Sequence, residues 1–257
     1  MIGLGGPPRG FRESRSGSPD SSGRSMPWRG RAWTQLAAVA LGVLPLYAVS
    51  IVLQLGSDDP LSIRAFVVYL AVIAPLSIAL TLLLLRVLCG ERPQALNLQR
   101  GTLPSDVLST VVLSLVTLVA SVVSDIVLPV LLPESAPNPS VRRLFEDVAG
   151  DPRLLALFVG PLVFLGAASE ELVRVFLLSR LWTVWPSSRG RWIAVFLSSG
   201  LFGLLHLYQG SANATGAGIY GLIMALHYLR FGRVVPLILA HYLTNALQIV
   251  VFAVRVQ

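Results

Sequence analysis

Glu170, Glu171 and Arg174 lie within five residues of one another in a run that is otherwise apolar: LLALFVGPLVFLGAA precedes the group and VFLL follows Arg174. A charge at the centre of a membrane span costs about 2.5–3.5 kcal/mol, so three ionisable groups here require a purpose or a remedy. On a helix, Arg174 lies about 40° from Glu170 and about 60° on the other side of Glu171, one turn on. From there it can pair with one acid or bridge both. The trio keeps one excess negative charge, which a shared proton, a histidine, a metal or a cavity water would have to offset. Two close carboxylates in low dielectric favour one neutral acid, the condition for a general base working near neutral pH.

Two further polar pairs sit at comparable depth. Phe202-Gly-Leu-Leu-His206 places an aromatic ring and an imidazole four residues apart, and His241-Tyr-Leu-Thr-Asn245 places an imidazole and an amide on one helical face. Each needs a partner in the absence of water. If Glu170, His206, His241 and Asn245 converge, they supply a base, an imidazole to orient or share a water, and two hydrogen-bond donors. Those are the parts needed to add water to an amide carbonyl. Two readings compete. The acids and arginine can be a self-neutralising packing cluster, and a lone histidine in an apolar helix is commonly a satisfied core residue. His206, His241 and a glutamate could instead ligate Zn²⁺ with an open position, although no HExxH occurs and the ligands would come from separate helices.

The elements that must position these groups are membrane helices. The chain has 257 residues, of which 54% are hydrophobic and only 13% charged, with mean hydropathy +0.72. A soluble domain is nearer a quarter charged. Spans are expected at 33–55, 63–89, 105–132, 153–184, 192–208, 214–229 and 234–254, so the fold class is an all-α polytopic bundle of about seven transmembrane helices. Gly160-Pro161 should kink the over-long fourth span, and the glycines of the fifth and sixth should allow close packing or tilt. Counting along the spans puts His206 nearer the outer surface and His241 nearer the inner, a separation of about 10 Å in depth.

All twenty basic residues are arginines, and the net charge is +7. With the N-terminus inside, fourteen arginines fall in inside segments and five outside, which orients the chain with a cytoplasmic N-terminus. Membrane topology explains the basic balance, and no basic stripe with interleaved aromatics points to nucleic acid. The lone Cys89 excludes a disulfide framework. Four regions follow: a disordered cytoplasmic tail over 1–31, rich in Gly, Ser, Pro and Arg; N-terminal transmembrane helices over 32–132; an extracytoplasmic loop over 133–152; and the helices carrying the polar pairs over 153–254. Within the loop, Arg142 to Val148 reads as a short interfacial helix, and Asp151-Pro152 as a helix start. An Arg-only, Ala- and Leu-rich chain suggests a bacterial inner or plasma membrane.

Glu170-Glu171…Arg174, Phe202…His206 and His241…Asn245, in that order on successive helices, resemble the CPBP family of intramembrane proteases, which includes the CAAX prenyl endopeptidases and the bacteriocin-processing or Abi proteins. The resemblance covers roughly residues 153–250 and includes the run GIYGLIMALHYLRFGRVVPLILAHYLTNAL. It implies an intramembrane endopeptidase acting on a peptide or protein substrate at the bilayer, prenylated or carrying a leader peptide. It also implies that Glu170 and His206 activate water, that His241 and Asn245 stabilise the oxyanion, and that Glu171, Arg174 and Phe202 support them. Family members are often labelled metalloproteases, but the glutamate-and-water mechanism needs no metal, and none is expected here. The family pattern is EExxxR and this chain has EExxR, which leaves the division of labour between the two glutamates open. Two readings from other classes remain: a non-catalytic membrane scaffold or chaperone of the same fold, and a proton-coupled transporter using the buried acids as a relay.

Overall fold

In the computed structural model, residues 62–87, 102–132 and 139–256 are described, with isolated positions at 33–34, 36–37, 40, 48, 92–96 and 98. The tail over 1–31 and nearly all of the first expected span lie outside the described residues. Among those described there are seven helices and no strand. They are α1 (Ile63–Val87), α2 (Leu103–Leu131), α3 (Pro139–Gly150), α4 (Pro152–Val184), α5 (Ser188–Leu204), α6 (Ser211–Phe231) and α7 (Val235–Val256). Four of these, α1, α2, α4 and α7, are long and apolar enough to cross a membrane. The protein is an integral membrane helix bundle.

Helix α4 runs through the middle. Nearly every side chain from Gly166 to Val184 is buried, and α1, α5 and α7 pack around it. Helix α2 presents one thin stripe to α6 and α7, including Leu113, Thr117, Ser124 and Leu128, and turns its valines and leucines outward. Such a face suits lipid, where apolar exposure carries no penalty. Helix α3 extends beyond the expected Arg142–Val148 turn. It buries Leu144, Val148 and Ala149, leans Phe145 on Phe252 of α7 at 5.7 Å, and keeps an exposed Arg142–Glu146 pair. Asp151 caps α4 as its sequence suggested, accepting from the amides of Arg153 at 2.8 Å and Leu154 at 3.3 Å.

Two π-helical turns interrupt the apolar helices, at Tyr69–Ile73 in α1 and Phe158–Leu162 in α4. The second lies at the expected Gly160-Pro161 kink, with Gly160 at φ −81°, ψ −109°. Proline cannot donate to the helical ladder, so the turn widens there. Phe66, just before the first turn, stacks on Phe158 of the second at 5.9 Å. Helices α5 and α6 pack more tightly: a Cβ added at Gly203 would lie 2.7 Å from the Ala214 carbonyl oxygen and 3.2 Å from the Gly218 Cα. Glycine is what permits this backbone approach.

The fifth span differs from expectation at its end. Helix α5 stops at Leu204 instead of running to 208, and a 3₁₀ turn, Leu207–Gln209, leads to Gly210 at φ +102°. His206 therefore sits on a tight connection. That frees its ring from the helix direction and removes the depth argument against its meeting His241.

Candidate active site

The two glutamates face different surroundings because consecutive residues on a helix point about 100° apart. Glu171 points inward and is wholly buried, whereas 16% of the Glu170 side chain is exposed. Glu171 Oε2 accepts a hydrogen bond from Arg174 Nη2, and Glu171 Oε1 lies 2.8 Å from His241 Nδ1. Arg174 spends its other terminal nitrogen on the Gly221 carbonyl of α6, 2.7 Å away, and its guanidinium lies 5.5 Å from the Phe202 ring centre. One carboxylate thus ties α4, α6 and α7 together. Arg174 pairs with Glu171 and does not bridge both acids.

Glu170 points toward α1 and the more open side. Its Oε1 accepts from the Tyr69 hydroxyl at 3.1 Å, and its Oε2 lies 3.7 Å from His241 Nε2. That second separation exceeds a direct hydrogen bond and lies within the span one water can bridge. The His241 imidazole thus lies between both acids.

The protonation of His241 follows from its partners. Glu171 is held as a carboxylate by Arg174 and can only accept, so His241 Nδ1 carries a hydrogen and Nε2 faces Glu170. His206 is fixed similarly: its Nδ1 lies 2.8 Å from the Phe202 carbonyl oxygen, so Nδ1 donates and Nε2 keeps its lone pair. Phe202 is the common wall. Its ring centre lies 4.7 Å from that of His206 and 6.2 Å from that of His241. No hydrogen bond or ion pair joins His206 to Glu170 among the described residues. Tyr208 stacks on the His206 ring at 6.2 Å.

Asn245 lies one turn beyond His241 on α7 and is half-buried, with no hydrogen bond to another described residue. Its neighbour Thr244 anchors α7 to α2 through Thr117 at 2.9 Å. The structure thus brings Glu170, Glu171, Arg174, Phe202, His206 and His241 into one cluster, and puts Asn245 on the same helix face without a partner.

Two tyrosines escaped the sequence reading. Tyr69 reaches Glu170 from α1. Tyr220 of α6 lies 5.0 Å from the His241 ring, with its buried hydroxyl unpaired. A tyrosine in an apolar helix gives no signal of such a role, because it ordinarily reads as packing with one polar tip.

Among the described residues no group of three or more His, Cys, Asp or Glu is arranged to hold a metal ion. Glu171 and His241 Nδ1 already satisfy each other, and His206 Nδ1 is committed to a carbonyl. The chemistry below is derived without a metal.

Residues 152–247 match the family model of the Rce1-like type II CAAX prenyl endopeptidases. The matched segment begins at the first residues of α4 and ends just beyond Asn245. No curated protein and no solved structure matches the chain.

Proposed function

We propose that the chain, whose residues 152–247 match the model of the Rce1-like type II CAAX prenyl endopeptidases, hydrolyses a peptide bond of a membrane-associated substrate with a glutamate-activated water. The substrate class is a prenylated or leader-bearing peptide presented at the bilayer. The observation that carries this reading is the placement of His241 between two unlike carboxylates, one sealed and one with an oxygen facing the more open side.

The residues divide the work as follows. Glu170 Oε2 takes a proton from water while His206 Nε2 holds that water by its lone pair. The water oxygen bonds to the scissile carbonyl carbon, and the carbonyl oxygen becomes an oxyanion. His241 Nε2, protonated and flanked by Glu170 and Glu171, donates to that oxyanion together with the Asn245 amide. Glu170 then passes its proton to the departing amine as the C–N bond breaks. Glu171, Arg174 and the Gly221 carbonyl hold the His241 ring with its Nδ1 on Glu171, much as an acid orients the imidazole of a hydrolytic triad.

The test is Glu170→Gln in the purified full chain, assayed against farnesylated CAAX peptides and leader peptides. Turnover should fall by about a thousandfold or more, because the residual rate rests on binding and oxyanion contacts alone. Retained turnover would remove Glu170 as the base.

A further inference from the structure

The family match begins at residue 152, yet one of the two side chains that touch Glu170 lies outside it. Tyr69, on α1, donates its hydroxyl hydrogen to Glu170 Oε1 at 3.1 Å across a sequence separation of 101 residues. The phenol is buried and the carboxylate partly so, which makes this a part-buried contact and not a surface encounter.

The backbone around it is arranged to produce the contact. Tyr69 opens the π-helical turn of α1, and the extra residue of such a turn re-aims the side chains on it. Next to it, Leu70 packs against Gly166, one turn before Glu170 on α4. A Cβ at Gly166 would approach Leu70 Cδ2 to 2.7 Å, so the missing side chain lets α1 lie close to α4. Phe66, one turn before Leu70, stacks on Phe158 in the opposing π turn. Contacts at 66–158, 70–166 and 69–170 thus join the two helices, the last of them on the carboxylate.

We propose that Tyr69 is a positioning residue for the general base: it occupies Oε1 of Glu170 and so leaves Oε2 as the oxygen that meets water. A carboxylate without this bond is free to rotate about its last torsion, which is broad and two-fold, and either oxygen could then swing toward His241. The groups that face Glu170 are Tyr69 of α1, Tyr208 beyond α5, Tyr220 of α6 and His241 of α7, with Glu171 and Arg174 on its own helix. Tyr69 makes a direct hydrogen bond to it through its hydroxyl. The N-terminal helices therefore contribute to the site, and the matched segment is incomplete without them.

This inference rests on the endopeptidase reading for its kinetic consequence but not for its geometry, and the experiment separates the two. Tyr69→Phe removes only the hydroxyl. In the full chain reconstituted in vesicles, a hydrophobic carbodiimide, which reacts with neutral carboxyl groups, is used to label Glu170, and the adduct is located by peptide mass mapping. Labelling should rise several-fold in Tyr69→Phe, since the oxygen that the hydroxyl covered is then open to the reagent. With a farnesylated CAAX peptide, kcat should drop by about ten- to a hundredfold at unchanged KM. Adding Tyr69→Phe to Glu170→Asp, whose shorter carboxylate no longer reaches the hydroxyl, should have no further effect on either readout. Unchanged labelling, or a Tyr69→Phe effect that multiplies fully with that of Glu170→Asp, would overturn the proposal. Increased labelling in a protein whose wild type cleaves no peptide would uphold the Tyr69–Glu170 link and count against the endopeptidase reading.

Discussion

Glu170 and Glu171 are chain neighbours of the same type, and they sit in two regions with opposite character. Around Glu171 both carboxylate oxygens have partners, Arg174 and His241 Nδ1, and the arginine reaches on to the Gly221 carbonyl. Around Glu170 one oxygen is held by Tyr69 and the other faces His241 Nε2 across 3.7 Å. The sealed region spends its charge on fixing three helices and one ring. The open region keeps an oxygen uncommitted. The difference teaches why a bilayer protein carries two adjacent acids: burying a charge is tolerable when it is fully paired, and the paired acid then fixes the imidazole beside the acid proposed as the base.

The comparison can be broken from the sealed side first. Glu171→Ala leaves Arg174 buried without its carboxylate, and removing one partner of a buried ion pair costs about 3–5 kcal/mol. Thermal unfolding in detergent should report this loss directly, together with a loss of turnover because His241 loses its anchor. A variant as stable as the wild type would mean that the sealed region is not what holds these helices.

On the open side, Asn245→Ala tests whether the unpartnered amide serves the oxyanion. Loss of one such donor typically costs about 10²–10³ in kcat. The prediction is a fall of that size with little change in unfolding temperature, because the amide makes no hydrogen bond to another described residue. A drop in stability without one in kcat would reassign Asn245 to packing.

A smaller effect should follow from the wall between the two regions. Phe202 and His206 are placed by the close approach of α5 to α6 at Gly203 and Gly218. Gly203→Val forces those backbones apart, and overpacking of this kind costs about 1–3 kcal/mol. Unfolding should shift modestly, and turnover should fall because His206 moves. A neutral result in both would show that the helix pair does not set the histidine's position.

Much of this arrangement could be read from the chain, for physical reasons that also mark the limit. Charged and polar groups in an apolar run are expensive, so Glu170, Glu171, Arg174, His206 and His241 stand out against their surroundings. The kink at Gly160 and the cap at Asp151 follow from proline and aspartate chemistry. The partition between the glutamates was not legible, since on an isolated helix Arg174 can reach either acid. It is settled by what packs against each face: His241 and α6 on one side, α1 on the other. Tyr69 was invisible because its partner is 101 residues away and an apolar helix gives no reason to single out one tyrosine. The expectation that the fifth span runs to 208 failed because Leu205 through Gly210 look apolar enough to continue a helix, whereas the chain turns there to bring His206 back onto Phe202.

One measurement addresses the central claim most directly: Glu170→Gln and Glu171→Gln compared side by side for farnesylated-peptide turnover and for thermal unfolding in the same detergent. The account predicts that Glu170→Gln abolishes turnover while leaving the unfolding temperature near that of the wild type, and that Glu171→Gln lowers the unfolding temperature markedly. The reverse pattern, with turnover surviving in Glu170→Gln or stability surviving in Glu171→Gln, would contradict it.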